Sequence, residues 1–244
     1  MFDYLVSRVF FNEYLFYFNK KNYLLTFLFF TLSFYSQEEL NESVDSLYRE
    51  DQIYFGITYN TLINTPESLT QTDFSPGFSL GIIRDFPLNK ERDIALGFGM
   101  GYSLNIYSQN LKIVRQNNNN FLYELVSSQD FEKNRFSFQA IEIPFEIRWR
   151  TSNKISYKFW RIYFGIKTSY IVNSKSIFTS ENLNQSNKNL DLNKWQYGLS
   201  LSLGYNNWNS FFYYGLNSIF NDVLLAETPI EMRSLNIGLI FYIL

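Results

Sequence analysis

The chain of 244 residues contains neither cysteine nor histidine, and 20% of its residues are aromatic. The missing residue types exclude disulfides, zinc–thiolate clusters, cysteine nucleophiles and every catalytic or metal site that depends on imidazole. A formal net charge of −2 provides no basic field for binding nucleic acid. Mean hydropathy is slightly negative at −0.18, so the aromatic residues must alternate with polar ones.

The N-terminal segment has the features of an export signal. Lys20 and Lys21 precede the uncharged apolar residues 23–35, and acidic sequence follows Ser36. A basic start, an apolar stretch of roughly 7–15 residues and a small residue before the cut are typical of a secretory signal peptide. We predict a signal peptide over residues 1–36; a short buried helix fits less well because polar sequence follows at once. The lead before Lys20 is long, which suggests a translation start closer to that residue.

The segment after the predicted cleavage site is acidic. Residues 37–51 contain Arg49 as their only basic residue. Such a segment is more often a solvated spacer than a docking motif. We expect residues 37–51 to form a periplasmic N-terminal tail and residues 52–244 to form one domain.

From Gln52 onward, large apolar residues alternate with small or polar ones. In residues 94–106, large apolar side chains occupy one face and Gly, Ala, Ser and Asn the other. A period of two indicates β-strands. The pattern recurs eight times and predicts strands at residues 52–62, 74–84, 93–108, 135–151, 159–174, 194–206, 209–221 and 234–244.

The connections between these strands alternate in length. Long polar loops are predicted at residues 63–73, 109–134, 175–193 and 222–233, and short ones at 85–92, 152–158 and 207–208. Residues 112–126 suggest a hairpin that extends beyond the third and fourth strands, with Asn117 to Asn120 at its tip. Short periplasmic turns, longer extracellular loops and periplasmic termini are typical of an outer-membrane barrel.

The two faces of the strands favour a membrane barrel over a soluble lipocalin-like barrel. The small face suits a narrow lumen and would cover a water-exposed surface poorly. Aromatic residues at strand ends suit interfacial girdles; these are Tyr59, Tyr102, Tyr107, Trp149, Trp160, Tyr170, Trp195 and Tyr205. The sequence therefore predicts an all-β, eight-stranded antiparallel up-and-down transmembrane β-barrel of the outer-membrane type.

The fourth predicted strand is unusually charged. Its alternation, and that of the fifth strand, turns six charged residues toward the lumen: Glu142, Glu146, Arg148, Arg150, Arg161 and Lys167. Unpaired charges in a narrow lumen would be costly, so we predict a mutually paired structural network that fills the barrel. A proton-sharing Glu142–Glu146 pair is the catalytic alternative, which neighbouring arginines disfavour because they hold both groups ionised.

The same strand is predicted to be irregular. Pro144 lacks the N–H that a ladder hydrogen bond needs, and a closed barrel has no edge strand to accommodate it. Phe136 and Phe138 have the opposite parity to Ile141. We therefore predict a β-bulge near Gln139 and a locally under-paired seam along the fourth strand.

Several segments resemble the PorT family, called SprT in gliding bacteria: SLYREDQIYFGITYN at 46–60, IIRDFPLNKERDIALGFGMGYS at 82–103, IEIPFEIRWRTS at 141–152, FWRIYFGIKTSY at 159–170 and the terminal LNIGLIFYIL. The resemblance implies an outer-membrane protein needed for type IX protein secretion and gliding motility. It implies no enzymatic activity, and it carries no catalytic, cofactor or metal residues over to this chain.

The expected function is therefore that of a non-catalytic accessory or assembly factor. Its expected partners are outer-membrane lipid and other components of the secretion machinery, with no cofactor and no nucleic acid. A small outer-membrane channel and a surface-binding barrel are the alternatives. A membrane-embedded hydrolase is disfavoured because such enzymes usually depend on histidine.

Overall fold

The structure is a computed structural model that describes residues 51–116, 120–151, 160–205, 208–225 and 227–243. The predicted signal peptide, the acidic tail before Asp51 and the short turn at 152–158 lie outside the described residues. Residues 117–119 of the predicted hairpin tip and part of the short turn at 207–208 lie outside them as well.

The described residues form strands and no long helices. The strands are β1 (Gln52–Ile63), β2 (Pro76–Pro87), β3 (Ile94–Ser108), β4 (Leu111–Arg115), β5 (Phe121–Leu125), β6 (Lys133–Arg150), β7 (Trp160–Ser180), β8 (Leu183–Lys188), β9 (Trp195–Tyr205), β10 (Trp208–Gly215), β11 (Leu224–Leu225), β12 (Thr228–Pro229) and β13 (Arg233–Ile243). Within the described ranges, no helix has the length and apolar character needed to cross a membrane.

Eight long strands form a closed antiparallel barrel. Their order is β1-β2-β3-β6-β7-β9-β10-β13, so each strand pairs with its neighbour in the chain. The β1–β13 ladder closes the barrel and runs from Ile53↔Ile243 to Ile63↔Arg233. The predicted all-β, eight-stranded up-and-down barrel is confirmed.

The barrel wall follows the period of two in the sequence. In β1, buried residues alternate with exposed ones along the strand, because successive side chains of a strand point to opposite faces. Exposed aromatic rings collect near both ends of the wall. Trp160 packs on Tyr205 at the short-turn end, with ring centroids 5.4 Å apart, and Tyr170 packs on Trp195 at the long-loop end, 5.0 Å apart.

Several strand boundaries differ from the prediction. β7 continues to Ser180 and pairs with β8, so much of the predicted loop at 175–193 is a hairpin. β10 ends at Gly215, before the predicted limit of 221. The Asn217 side chain ends this ladder, because its Nδ2 donates to the Trp195 carbonyl and its Oδ1 accepts from the Tyr197 N–H.

The predicted outer hairpin is present. β4 pairs with β5 from Leu111↔Leu125 to Arg115↔Phe121, as the pattern in residues 112–126 suggests. The hairpin thus extends the wall beyond β3 and β6, at the end of the barrel that carries the long loops.

A register shift lies at Gln139/Ala140, where the sequence predicts a bulge. The extra residue belongs to the partner strand, since Gln139 faces Asn173 and Ala140 faces Ile171 across the ladder. On β6 itself the parity is continuous: Phe136 and Phe138 have the inward parity of Ala140 and are buried. They face inward because this part of the interior is apolar, as described below.

Candidate functional site in the barrel interior

The interior at the short-turn end contains the six charged residues that the sequence places there. β6 contributes four of them through its even-numbered positions, and β7 contributes two through its odd-numbered ones. All six are buried: Glu142, Glu146, Arg148, Arg150, Arg161 and Lys167. Inward charge on adjacent strands brings them into the short-turn half of the lumen, and the six residues are called the charged layer below.

Asp85 is the centre of this layer, and the sequence analysis missed it. Its two carboxylate oxygens accept hydrogen bonds from Arg148 Nη1 and Arg150 Nη1. All three side chains are fully buried. The prediction ended the second strand at residue 84 and so placed Asp85 in a turn. The alternation of Gly81, Ile83 and Asp85 toward the interior was the signal that would have found it.

The charged residues of β6, together with Lys167, also have oppositely charged or polar partners. Lys167 Nζ donates to Glu142 Oε1 at 3.0 Å, and the Glu146 carboxylate lies 3.4 Å from Arg148 Nε. Arg148 also donates to the Gln52 side chain. Arg150 Nε donates to a backbone carbonyl in the turn between β2 and β3, at 3.1 Å.

Aromatic rings surround the cations. The Arg148 guanidinium lies 3.9 Å from the centroid of the Tyr163 ring, and Lys167 Nζ lies 4.7 Å from that of Tyr213. The Arg161 guanidinium lies 6.0 Å from the Tyr242 ring. Cation–π contacts of this kind strengthen when water is excluded. Three of the four cations, Arg148, Arg161 and Lys167, thus lie near an aromatic ring.

Glycines make room for these large side chains. A Cβ on Gly97 would lie 2.6 Å from Arg148 Cδ, and a Cβ on Gly101 would overlap the Tyr54 hydroxyl. The inner face of β3, which is rich in glycine, therefore leaves the space that the inward-facing side chains of other strands occupy. This face is called the floor of the lumen below.

The charged layer has the geometry of a paired structural network. Glu142 and Glu146 each lie beside a different cation, so the geometry supports a structural network rather than a shared-proton pair. Among the described residues, no three acidic, histidine or cysteine groups converge where a metal ion would bind. A cavity of about 20 Å³ beside Glu142 and Lys167 is large enough to hold about one water molecule.

The interior at the long-loop end is apolar. Side chains from the strand extensions and loops form one buried cluster, called the apolar cap below, whose members include Leu69, Tyr107, Leu111, Ile113, Phe136, Phe138, Leu190, Ile219, Phe220 and Met232. The Tyr107 and Phe136 rings stack with centroids 5.0 Å apart. The expectation that Tyr107 belongs to an outer aromatic girdle is wrong, because it shares the inward parity of Asn105 and is fully buried.

Polar contacts hold the loops over the cap. Tyr107 Oη and Ser234 Oγ are 2.8 Å apart, and Asn193 Nδ2 donates to the Phe220 carbonyl at 2.9 Å. Burial, with the nearby Asp191 carboxylate as a second cause, raises the pKa of Tyr123 in the β4–β5 hairpin. The phenol therefore stays neutral at physiological pH and acts as part of the cap.

Comparisons with known proteins identify the family. A family model described as "Outer membrane protein beta-barrel domain" matches residues 34–221. A search of solved structures matches two crystal structures of Ail, the attachment invasion locus protein of Yersinia pestis; one is a complex with the heparin analogue sucrose octasulfate. They share 14% and 15% sequence identity with this chain, cover 80% of it and 100% of their own chains, and each has a TM-score of 0.33. A comparison with curated protein sequences found no match.

Proposed function

Because the chain belongs to the outer-membrane protein β-barrel domain family, we propose that this outer-membrane barrel is a non-catalytic accessory or assembly factor for type IX protein secretion and gliding motility. The sequence resemblance to the PorT family supports this specific role. The segment that carries most of the resemblance, residues 141–152, lies largely in β6 and supplies four members of the charged layer. In the proposed orientation, the short turns and both termini are periplasmic and the long loops are extracellular.

The observation that carries the proposal is the filled interior. Asp85, Arg148 and Arg150 obstruct the short-turn end of the lumen, and the apolar cap covers the long-loop end. An eight-stranded barrel is wide enough only for its own side chains. Working surfaces must then lie on the outside of the barrel, which suits a protein that binds other secretion components and disfavours a channel.

Deleting the gene tests the secretion role. In the deletion strain, we expect type IX cargo to disappear from the culture medium and colonies to stop spreading, and we expect the wild-type gene to restore both. Normal secretion in the deletion strain would contradict the proposal. Affinity purification from solubilised membranes, followed by mass spectrometry, should then identify the secretion components that the barrel contacts.

A complementing variant tests the acidic segment. Replacement of Glu38, Glu39 and Glu42 by glutamine should impair secretion at normal barrel levels if the segment docks a partner. Unchanged secretion would assign it the role of a spacer.

A surface-binding barrel is the second candidate, and one feature of the outer end favours it. A groove of about 750 Å³ lies between the first long loop, the β4–β5 hairpin and the β11–β12 hairpin, with Pro66, Tyr123, Leu125 and Leu225 in its walls. Replacing the β4–β5 hairpin by a short turn separates the two candidates. Loss of surface binding with intact secretion would support the second, and loss of secretion would support the first.

A further inference from the structure

An apolar groove crosses the outer surface of the barrel wall between β1, β2, β3 and β6. Its volume is about 430 Å³. The walls are formed by exposed side chains, chiefly Ile53, Ile82, Phe98 and Met100, with Ile143 on the far side. Because these residues have the outward parity of their strands, the groove faces the hydrocarbon of the bilayer.

The groove lies where the β3–β6 ladder is interrupted. The register runs without change from Ile94↔Trp149 to Phe98↔Phe145 and resumes at Gly101↔Glu142. The rungs between them, which would pair Gly99 with Pro144 and Met100 with Ile143, are absent from this described stretch. Proline has no N–H to donate to the ladder. The unpaired stretch of β3 and β6 lines a recess beneath the outward side chains, at Gly99 and Ile143.

A single cation marks one end of this recess. Arg84 lines the groove and has the outward parity of Ile82 and Phe86. The other outward-facing basic residues of the described barrel strands lie toward the long-loop end: Lys133, Arg135, Lys175 and Arg233. A charge on the lipid-facing wall is costly unless it reaches the interface. Arg84, three residues from the end of β2, is placed to do so through its long side chain.

Arg84 has a carboxylate beside it and remains accessible. Its Nε lies 3.7 Å from the Asp51 carboxylate, and both side chains are 55% exposed. An exposed pair at this distance holds the guanidinium near the rim without saturating its donors.

We propose that this groove binds one membrane phospholipid of the leaflet at the short-turn end. An acyl chain lies in the recess over Gly99 and Ile143, and the headgroup phosphate accepts hydrogen bonds from Arg84. The pairing suits both parts of the lipid, because arginine matches phosphate oxygens in a bidentate geometry and the walls are hydrocarbon. This binding site is independent of the secretion role and extends beyond it.

Native mass spectrometry of the purified full-length barrel, released from detergent and titrated with defined lipids, tests the site. The probes are dioleoylphosphatidylglycerol, dioleoylglycerol without a phosphate, and glycerol 3-phosphate without acyl chains. We expect one tightly retained dioleoylphosphatidylglycerol per barrel and much weaker retention of the other two. Equal retention of dioleoylglycerol would overturn the role of Arg84, and equal binding of glycerol 3-phosphate would overturn the role of the groove.

Three variants locate the contact. Arg84→Gln should lower the affinity for dioleoylphosphatidylglycerol by about tenfold, the effect of losing one hydrogen bond to a charged group. Arg135→Gln, a matched outward arginine at the opposite end, should leave the affinity unchanged. Asp51→Asn should leave it equal or higher, because a competing carboxylate is removed. An equal loss of affinity in Asp51→Asn and Arg84→Gln would show that only the ion pair matters and would overturn the proposal. Gel migration without heating reports whether each variant is folded.

Discussion

The two ends of the barrel interior are built on opposite rules. At the short-turn end, inward side chains are charged and outward ones are apolar, whereas at the long-loop end large apolar side chains turn inward. Strand β6 contains both arrangements at the same parity, with Phe136 and Phe138 on one side of Ala140 and Glu142 and Glu146 on the other. At Ala140 the inward-facing side chains change from apolar to charged, while the inward parity of the strand stays the same.

The difference follows from the solvent outside the wall. Within the bilayer, lipid is as apolar as a leucine side chain, so no hydrophobic driving force draws apolar residues inward. The narrow lumen is then filled by paired charges and rings. Beyond the bilayer, water surrounds the strands, and the hydrophobic effect packs Phe136, Leu111 and Ile219 into a core as in a soluble protein. We therefore expect the change at Ala140 to mark the boundary of the hydrocarbon on the long-loop side.

The largest predicted effect removes the shared carboxylate of the charged layer. Asp85→Ala leaves Arg148 and Arg150 buried without that partner and should cost about 3–5 kcal/mol of unfolding free energy. Denaturant unfolding in detergent micelles measures it. The matched control is Asp51→Ala, whose pair with Arg84 is exposed and should contribute below about 1 kcal/mol. Equal losses in both variants would show that the charged layer does not hold this end together.

A cavity in the apolar cap should have the next largest effect. Leu111 is fully buried, and Leu111→Ala should destabilise the barrel by about 2–5 kcal/mol in the same unfolding assay. Leu122 lies on the same hairpin and is 40% exposed, so Leu122→Ala should change stability by about 0.5 kcal/mol or less. Similar values for the two leucines would mean that the cap is not a packed core.

A smaller loss should follow from adding one methyl group to the floor of the lumen. Gly101→Ala places a Cβ against the Tyr54 hydroxyl and should cost about 1–3 kcal/mol through overpacking. Tyr54→Phe in the same chain removes the clashing oxygen and should recover part of that loss. Gly215→Ala is the control, because its Cβ would meet no atom closer than 3.1 Å. Failure of Tyr54→Phe to recover stability would place the strain elsewhere.

The smallest effect is local and concerns the interrupted ladder. Amides near Met100 and Ile143 should exchange with solvent faster than those of the continuous β1–β13 ladder, because the rungs around Pro144 are missing. Hydrogen exchange of the purified barrel, resolved by residue, measures this. Protection near Met100 and Ile143 equal to that of the continuous β1–β13 ladder would contradict the under-paired seam.

Much of the wall was predictable, because a period of two directly determines which side chains share a face. The same parity correctly turned Glu142, Arg148 and Lys167 inward. Asp85 was missed through a boundary error of three residues at the end of β2. Tyr107 was assigned to the wrong face, because alternation shows that two faces differ, while the medium outside the wall decides which face is the inner one. Pro144 predicted an irregularity in the sheet. Whether the missing pairs lie on the β3 side or the β7 side of β6 depends on the direction in which the absent N–H would point, and the sequence does not give that direction.

The central claim is that the interior is closed at both ends and that the barrel acts through its outer surfaces. Single-channel recording of the purified barrel in planar lipid bilayers tests it most directly. We predict a closed trace in the wild type, and Asp85→Ala, which disrupts the packing of the charged layer, serves as the comparison for a loosened lumen. A steady open conductance in the wild-type barrel would contradict the account.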